Sequence, residues 1–260
     1  MAQWDPNLYL RFGDERTQPA IDLAVRVALE APRRVIDIGC GPGNSTAVLR
    51  RRWPLAQIIG LDSSAEMIER ARRDAPGQQW ICADAASFNG EQGYDLVYSN
   101  ATLQWIPDHR DLVLRLWDAV ASGGALAVQV PANQQSPLHR ALLAVAEREP
   151  FRKYLDGARS LFTYHPAGFY YDLLAPIARR YETWTTEYLH VMKSHDDLMT
   201  WYRGTGMRPF LQALEDDGQR QAFESAVLSE ARHGYPVQSD GKLLFPFRRL
   251  FFVAYRRDQL

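Results

Sequence analysis

The run Val35-Ile36-Asp37-Ile38-Gly39-Cys40-Gly41-Pro42-Gly43-Asn44-Ser45-Thr46 constrains the fold more than any other stretch of the chain. Residues of strand character lead through an acid into a glycine turn, and Asn44 or Ser45 stands where a helix N-cap is expected. Glycines in such a turn let the backbone approach a ligand closely and adopt positive φ, which a Cβ would obstruct. The spacing is G-x-G-x-G. A dinucleotide fingerprint, G-x-G-x-x-G, would place its third glycine where Asn44 stands, so a pyrophosphate ligand is disfavoured. Asp62 ends the next strand, 23 residues after Gly39, and a carboxylate there can accept two hydrogen bonds from a ribose. The two features together favour a nucleoside without phosphates.

Around this motif, short apolar runs alternate with amphipathic stretches from Arg33 to Pro131, the pattern of a parallel sheet covered by helices. The strands are expected over 34–38, 57–61, 79–82, 94–99 and 125–130, with helices starting near Asn44, Ser64, Thr102 and Asp108. Ile21, Val25 and Ala28 give helical spacing to a leading segment, 14–29. Beyond Pro131 the pattern loosens into a helix over 137–148, an aromatic and basic segment over 151–171 and a strand over 182–192. Helices over 196–203 and 217–233 follow, and 243–255 closes the chain as a long strand. No internal repeat or Gly/Ser linker interrupts it, so 1–260 reads as a single domain. Its cofactor-binding core is 33–131, and 132–180 and 195–240 are cap insertions for substrate.

The 30 basic residues balance 31 acidic ones, for a net charge of −1, a poor footprint for neutralising nucleic-acid phosphates. No window approaches the roughly 20 apolar residues of a membrane span, and nothing near Met1 resembles a secretion signal. Cys40 and Cys82 lack a paired spacing, and the six histidines form no metal-ligand cluster. The expectation is a cytoplasmic protein with no metal, nucleic acid, membrane or implied protein partner. All but three of the basic residues are arginine. Genomic base composition explains that simply, and recognition of carboxylates by planar guanidinium groups is the second reading.

These residues resemble the class I S-adenosylmethionine-dependent methyltransferases. The resemblance implies a Rossmann-like, doubly wound α/β fold, its mostly parallel sheet closed by an antiparallel C-terminal strand and joined by a helical cap insertion. It implies S-adenosyl-L-methionine as cofactor, with Asp37, Gly39 and Gly41 around the methionyl part, Asp62 on the ribose and Asn44 also among the cofactor-binding residues. Ser63 and Met67 would line the adenosine, Asp84 and Ala85 would meet the adenine, and Asn100 would close the site at the end of the fourth strand. The segment Ser99-Asn100-Ala101-Thr102-Leu103-Gln104-Trp105 lacks the two prolines and aromatic typical of base amine methylation, so a small-molecule acceptor is expected.

Beyond the cofactor motifs, Tyr9 to Pro19, Trp105-Ile106-Pro107-Asp108-His109, Trp201 to Phe210 and Phe247-Arg248-Arg249-Leu250-Phe251 are similar to the trans-aconitate 2-methyltransferases. That family transfers a methyl group to a carboxylate of a planar tricarboxylate, giving a monomethyl ester. The resemblance implies a small polycarboxylate substrate. Arg203 and Arg208, flanking Gly204-Thr205-Gly206, are the first candidates to bind it, with Trp105 bordering the pocket and Arg249 and Arg16 in support; the amides of the glycine turn could add donors. A carboxylate is already ionised at neutral pH, so no catalytic base is expected. A methyltransferase of another small metabolite and an inactive cofactor-binding scaffold are the alternatives.

Overall fold

The computed structural model of the chain describes residues 13–89, 93–155, 157–158 and 162–258, with side chains from residue 17 onward. Its strands are β1 (Arg34–Ile38), β2 (Gln57–Asp62), β3 (Gln79–Cys82), β4 (Tyr94–Asn100), β5 (Val120–Pro131), β6 (Arg180–Met192) and β7 (Leu243–Tyr255). They form one sheet in the order β3-β2-β1-β4-β5-β7-β6. The first five pair in parallel. Against β5, the amide of Arg256 donates to Gly124 O and that of Ala132 to Arg248 O. Positions rising along one strand therefore meet positions falling along the other, so β7 is antiparallel.

Burial follows from that order. Val35, Ile36 and Ile38 of β1, Leu96, Val97 and Tyr98 of β4, and Ala125 to Val128 of β5 are all fully buried, because a parallel sheet is covered on both faces. At the edge, β3 leaves Gln79, Ile81 and Cys82 exposed. The helices are α1 (Gly13–Arg26), α2 (Asn44–Arg52), α3 (Ala65–Asp74), α4 (His109–Asp118), α5 (Pro137–Ala146), α6 (Arg152–Leu155), α7 (Ala167–Leu174), α8 (His195–Arg203), α9 (Arg208–Ala213) and α10 (Asp217–Ala231). Several begin on the side-chain caps their sequences offer. Ser64, Ser136, Ser194 and Asp216 accept from the amides of Met67, His139, Asp197 and Gln219, each relieving an otherwise unpaired first-turn N–H. No helix among the described residues is long and apolar enough to cross a membrane.

Four local expectations change. No helix begins at Thr102: positive φ at Ala101 (56°) and Asp108 (55°) confines the segment to a short 3-10 turn, Leu103–Trp105. Neither Asn44 nor Ser45 caps α2; Gly43 holds that place at φ 101° without a side-chain cap. The strand expected over 125–130 starts earlier, at Val120, so that Gly123 and Gly124 lie inside β5. A Cβ on Gly124 would stand 2.7 Å from Asp95 O, so the close pairing there needs glycine. Finally, α9 forms with Pro209 in its first turn, a position that suits proline's fixed φ.

The described residues of Gly13–Pro131, Thr163–Thr186 and Leu250–Leu260 make up one compact unit, and those of Ala132–Phe162 and Glu187–Arg249 another. The first carries the parallel strands and the glycine turn. The second has its own apolar core, including Leu138, Leu142, Trp201, Phe210, Phe223 and Phe245, with the Phe151 and Phe223 rings edge to face at 5.1 Å. Within the first unit the chain reverses direction across the sheet between β1 and β4. In open α/β sheets that switch point, at the carboxyl ends of the strands, is where ligands bind.

Candidate cofactor site

At the end of β1, the amides of Gly39 and Cys40 both donate to Leu61 O, at 2.7 and 3.0 Å, and that of Gly41 to Asp62 Oδ2 at 2.9 Å. The glycine turn is thus pinned to the end of β2. Gly39 has φ 73°, and a Cβ there would stand 2.1 Å from the Thr102 side chain. Thr102 occupies that space because its hydroxyl donates to Gly39 O at 3.2 Å. Gly41 has φ 54° and, in contrast, faces open space, so its backbone is accessible to a ligand.

Asp37 is fully buried. Its Oδ2 accepts from the hydroxyls of Ser45 and Thr46, both at 2.6 Å, which explains why those residues do not cap α2. Its Oδ1 has no hydrogen-bond partner among the described residues. Burial raises the carboxyl from 3.8 to about 6, against the two hydroxyls, and the Asp62 charge adds to the rise. Asn100 likewise holds a buried Oδ1 without a partner among the described residues. Both acceptors lie at strand ends flanking the switch point, and a ligand cation would satisfy them.

Asp62 uses one lone pair on each oxygen, Oδ2 for Gly41 and Oδ1 for Ser64 N–H at 2.8 Å. An ionised carboxylate has about four acceptor positions, which leaves about two for ribose hydroxyls. Burial raises its pKa, partly offset by those amides. Asp84 is exposed and gives Oδ1 to Ala86 N–H at 2.8 Å, opening the turn that starts at the buried Ala85. Ser63 is exposed, Asn44 half-buried in the first turn of α2, and Met67 buried at 3%. The donor and acceptor set fits an adenosyl cofactor with a cationic amino-acid end: a ribose acceptor, open space beside Gly41 and two orphaned acceptors for an ammonium group. Sequence patterns did not single out Ser45 and Thr46 as partners of Asp37, Thr102 as the plug over Gly39, or Gln104, whose carboxamide donates to Ala101 O at 2.7 Å.

The six histidines behave as frame elements where hydrogen bonds define them. His109 Nε2 meets Leu103 O at 2.7 Å, an acceptor only, so Nε2 carries the proton and Nδ1 accepts from Tyr170 OH at 2.7 Å. Burial lowers its pKa, and the ring is neutral. Trp105 is half-buried in the same unit. The side chain of Arg16 lies outside the described residues.

The remaining candidate arginines belong to the second unit. Arg203 ends α8 and pairs through Nε and Nη2 with the two carboxylate oxygens of Glu224 of α10, at 2.7 and 2.6 Å. The glycine turn after it closes on itself: the amides of Thr205 and Met207 both donate to Tyr202 O and that of Arg208 to Thr205 O. Those amides are therefore not available as anion donors. Arg208 is half-buried at the first position of α9. Arg249 is 4% exposed, its guanidinium 4.6 Å from the Phe247 ring centre. Burial first and this cation second depress His190 to about 4, so that ring is neutral.

A family model described as a methyltransferase domain matches residues 9–198. A trans-aconitate 2-methyltransferase of Methylobacterium nodulans is 47% identical over 259 residues, covering 98% of this chain and 99% of that protein. One of Azoarcus sp. (strain BH72) is 45% identical over 256 residues, covering 98% and 100%. Among solved structures, the YcgJ protein of Bacillus subtilis aligns with a TM-score of 0.60 at 14% identity, covering 93% of this chain and all of that one. The strand order, the pinned glycine turn and a likeness that runs the length of the chain agree, and the chain belongs to the trans-aconitate 2-methyltransferase family of the methyltransferases.

Proposed function

We propose that this protein transfers a methyl group from S-adenosyl-L-methionine to one carboxylate of trans-aconitate, giving a monomethyl ester. The observation that carries the reading is identity near 45% over almost the whole chain, second unit included, with proteins of that name. Bound at the glycine turn, the cofactor supplies a methyl carbon already activated by a sulfonium. Asp62 would grip its ribose and Asp84 with Ala85 its adenine, beside Ser63 and Met67. Asp37 and Asn100 would take its ammonium end, and Gly39, Gly41 and Asn44 would shape the turn around it.

The acceptor is a carboxylate, whose pKa near 4 leaves it ionised at neutral pH, so the protein need not remove a proton. Its contribution is alignment of oxygen, carbon and sulfur in a site poor in water, where orientation can supply about 7–11 kcal/mol. Several fixed cations must hold a trianion. The buried guanidinium of Arg249 supports this role best, since a desolvated arginine pairs strongly with a carboxylate. Arg208 is half-buried at a helix start, and Arg203 would have to exchange Glu224 for the substrate. Trp105 would border the acid and Arg16 would add a cation. The test is methyl transfer from labelled S-adenosylmethionine to a panel of di- and tricarboxylates together with amine and hydroxyl acceptors of similar size, scored by product mass. Trans-aconitate should lead the panel; a preferred amine or hydroxyl acceptor refutes the reading.

A further inference from the structure

The turn that leaves β4 has a backbone shape that its side chains do not announce. Ala101 sits at φ 56°, in the left-handed region where an L side chain crowds the following carbonyl and glycine is the usual occupant. Hydrogen bonds fix the peptides around it. Ala101 N–H donates to Gln129 O at 3.0 Å, Thr102 Oγ1 to Gly39 O, and His109 Nε2 to Leu103 O. Gln104 does most. Its Nε2 donates to Ala101 O at 2.7 Å, while its backbone carbonyl accepts from Thr163 N–H at 2.9 Å. The side chain is 4% exposed, and its Oε1 has no hydrogen-bond partner among the described residues.

A buried carboxamide left half-satisfied, holding a neighbour in an unfavourable backbone conformation, destabilises the fold at two places a few residues apart. Such features persist where the geometry serves a site. Here the held peptides are those between Asn100, with its orphaned Oδ1, and Thr102, which seats on Gly39. We infer that Gln104 is a positioning residue of the cofactor site: its carboxamide holds the Asn100-Ala101-Thr102 turn in the left-handed form that presents Asn100 to the cofactor and locks Thr102 over the glycine turn. This inference rests on the assignment of Asn100 to the cofactor.

The test uses the full-length protein and S-adenosylhomocysteine, with affinity by titration calorimetry and folding by thermal melting. Gln104→Met keeps the volume and removes the donor, and should raise Kd about fivefold, the range of one net hydrogen bond. Adding Ala101→Gly should return Kd to within about twofold of wild type, because glycine adopts positive φ without a brace. An unchanged Kd in Gln104→Met overturns the inference, and so does a raised Kd that glycine fails to restore. Ala101→Val tests the same turn with Gln104 intact, since a β-branched residue resists φ 56°; its Kd should rise about tenfold, and no rise overturns the inference even where Gln104→Met fails to fold. Asn100→Ala separates the two readings. No effect there removes the role of Asn100, and a raised Kd beside an unchanged Gln104→Met removes the brace alone.

Discussion

Replacing Asp37 by Asn should make the protein without cofactor more stable and less able to bind it. The carboxyl is fully buried, and burial lifts it from 3.8 to about 6. A carboxyl raised by burial favours the fold only while protonated: that stability is fully present below about pH 3.8 and is lost as pH climbs through about 6. At about 1.36 kcal/mol per pH unit, that gap costs about 3 kcal/mol at neutral pH. Asparagine keeps an acceptor for the hydroxyls of Ser45 and Thr46 and loses the charge, but buries an NH2 where Oδ1 stands, which returns about 1 kcal/mol of the gain. A net gain of about 2 kcal/mol corresponds to about 4–8 °C in Tm for a chain of this size. Calorimetric scans of the cofactor-free proteins from pH 4.5 to 8 measure it. The difference should be largest at pH 8 and shrink toward pH 4.5, while S-adenosylhomocysteine should stabilise wild type far more than the variant. A variant less stable than wild type at pH 8, or a difference that ignores pH, would falsify the argument that Asp37 is an ionised, desolvated carboxylate kept for a cation.

Asp62→Ala should weaken cofactor binding by about ten- to a hundredfold in calorimetry, since a charged acceptor is worth roughly 1.5–3 kcal/mol and the Gly41 amide loses its anchor. Gly39→Ala should lower Tm by several degrees and abolish measurable cofactor binding, because its Cβ would overlap Thr102; a fully active Gly39→Ala protein contradicts the structure of the turn. Arg249→Lys should raise the KM for the acid about ten- to a hundredfold with cofactor affinity unchanged, because the buried side chain keeps its charge but loses the planar fork; a KM equal to that of wild type would take Arg249 out of the acid site. Single-turnover methyl transfer should be flat from about pH 6.5 to 8.5, as befits a nucleophile with a pKa near 4; a limb near pH 7 that disappears with one side chain would mean that a base is required.

The parts of the site legible in the sequence are those where the backbone itself dictates residue type. Gly39 and Gly41 lie at positive φ, one against Thr102 and one toward open space, and only glycine meets both demands cheaply, so the letters carry the geometry. Asp37 and Asp62 were legible because strand ends at a switch point have a fixed place relative to that turn. Ala101 shows the opposite case. Its amide reaches Gln129 O only once β4 and β5 have paired, and the neighbouring Thr102 reaches Gly39 O only once β1 lies beside β4, while alanine, a good helix former, argues locally for the helix that does not appear.

Charge in the second unit was harder still, for a related reason. An arginine's function depends on which carboxylate reaches it first, and that is decided by packing rather than by spacing. Arg203 stands at the end of α8 beside a glycine turn, a promising place for anion recognition, yet α10 brings Glu224 against it from 21 residues further along. Arg249 lies between Arg248, exposed on the other face of β7, and Leu250, and its neighbours in sequence do not distinguish it from Arg248; strand alternation alone buries it at 4% above Phe247. Glycine positions bind a cofactor through the backbone, which all members of a fold share. Substrate is held by side chains whose availability is set by partners distant in sequence, so one scaffold can keep its cofactor chemistry while the acid-binding cations change around it.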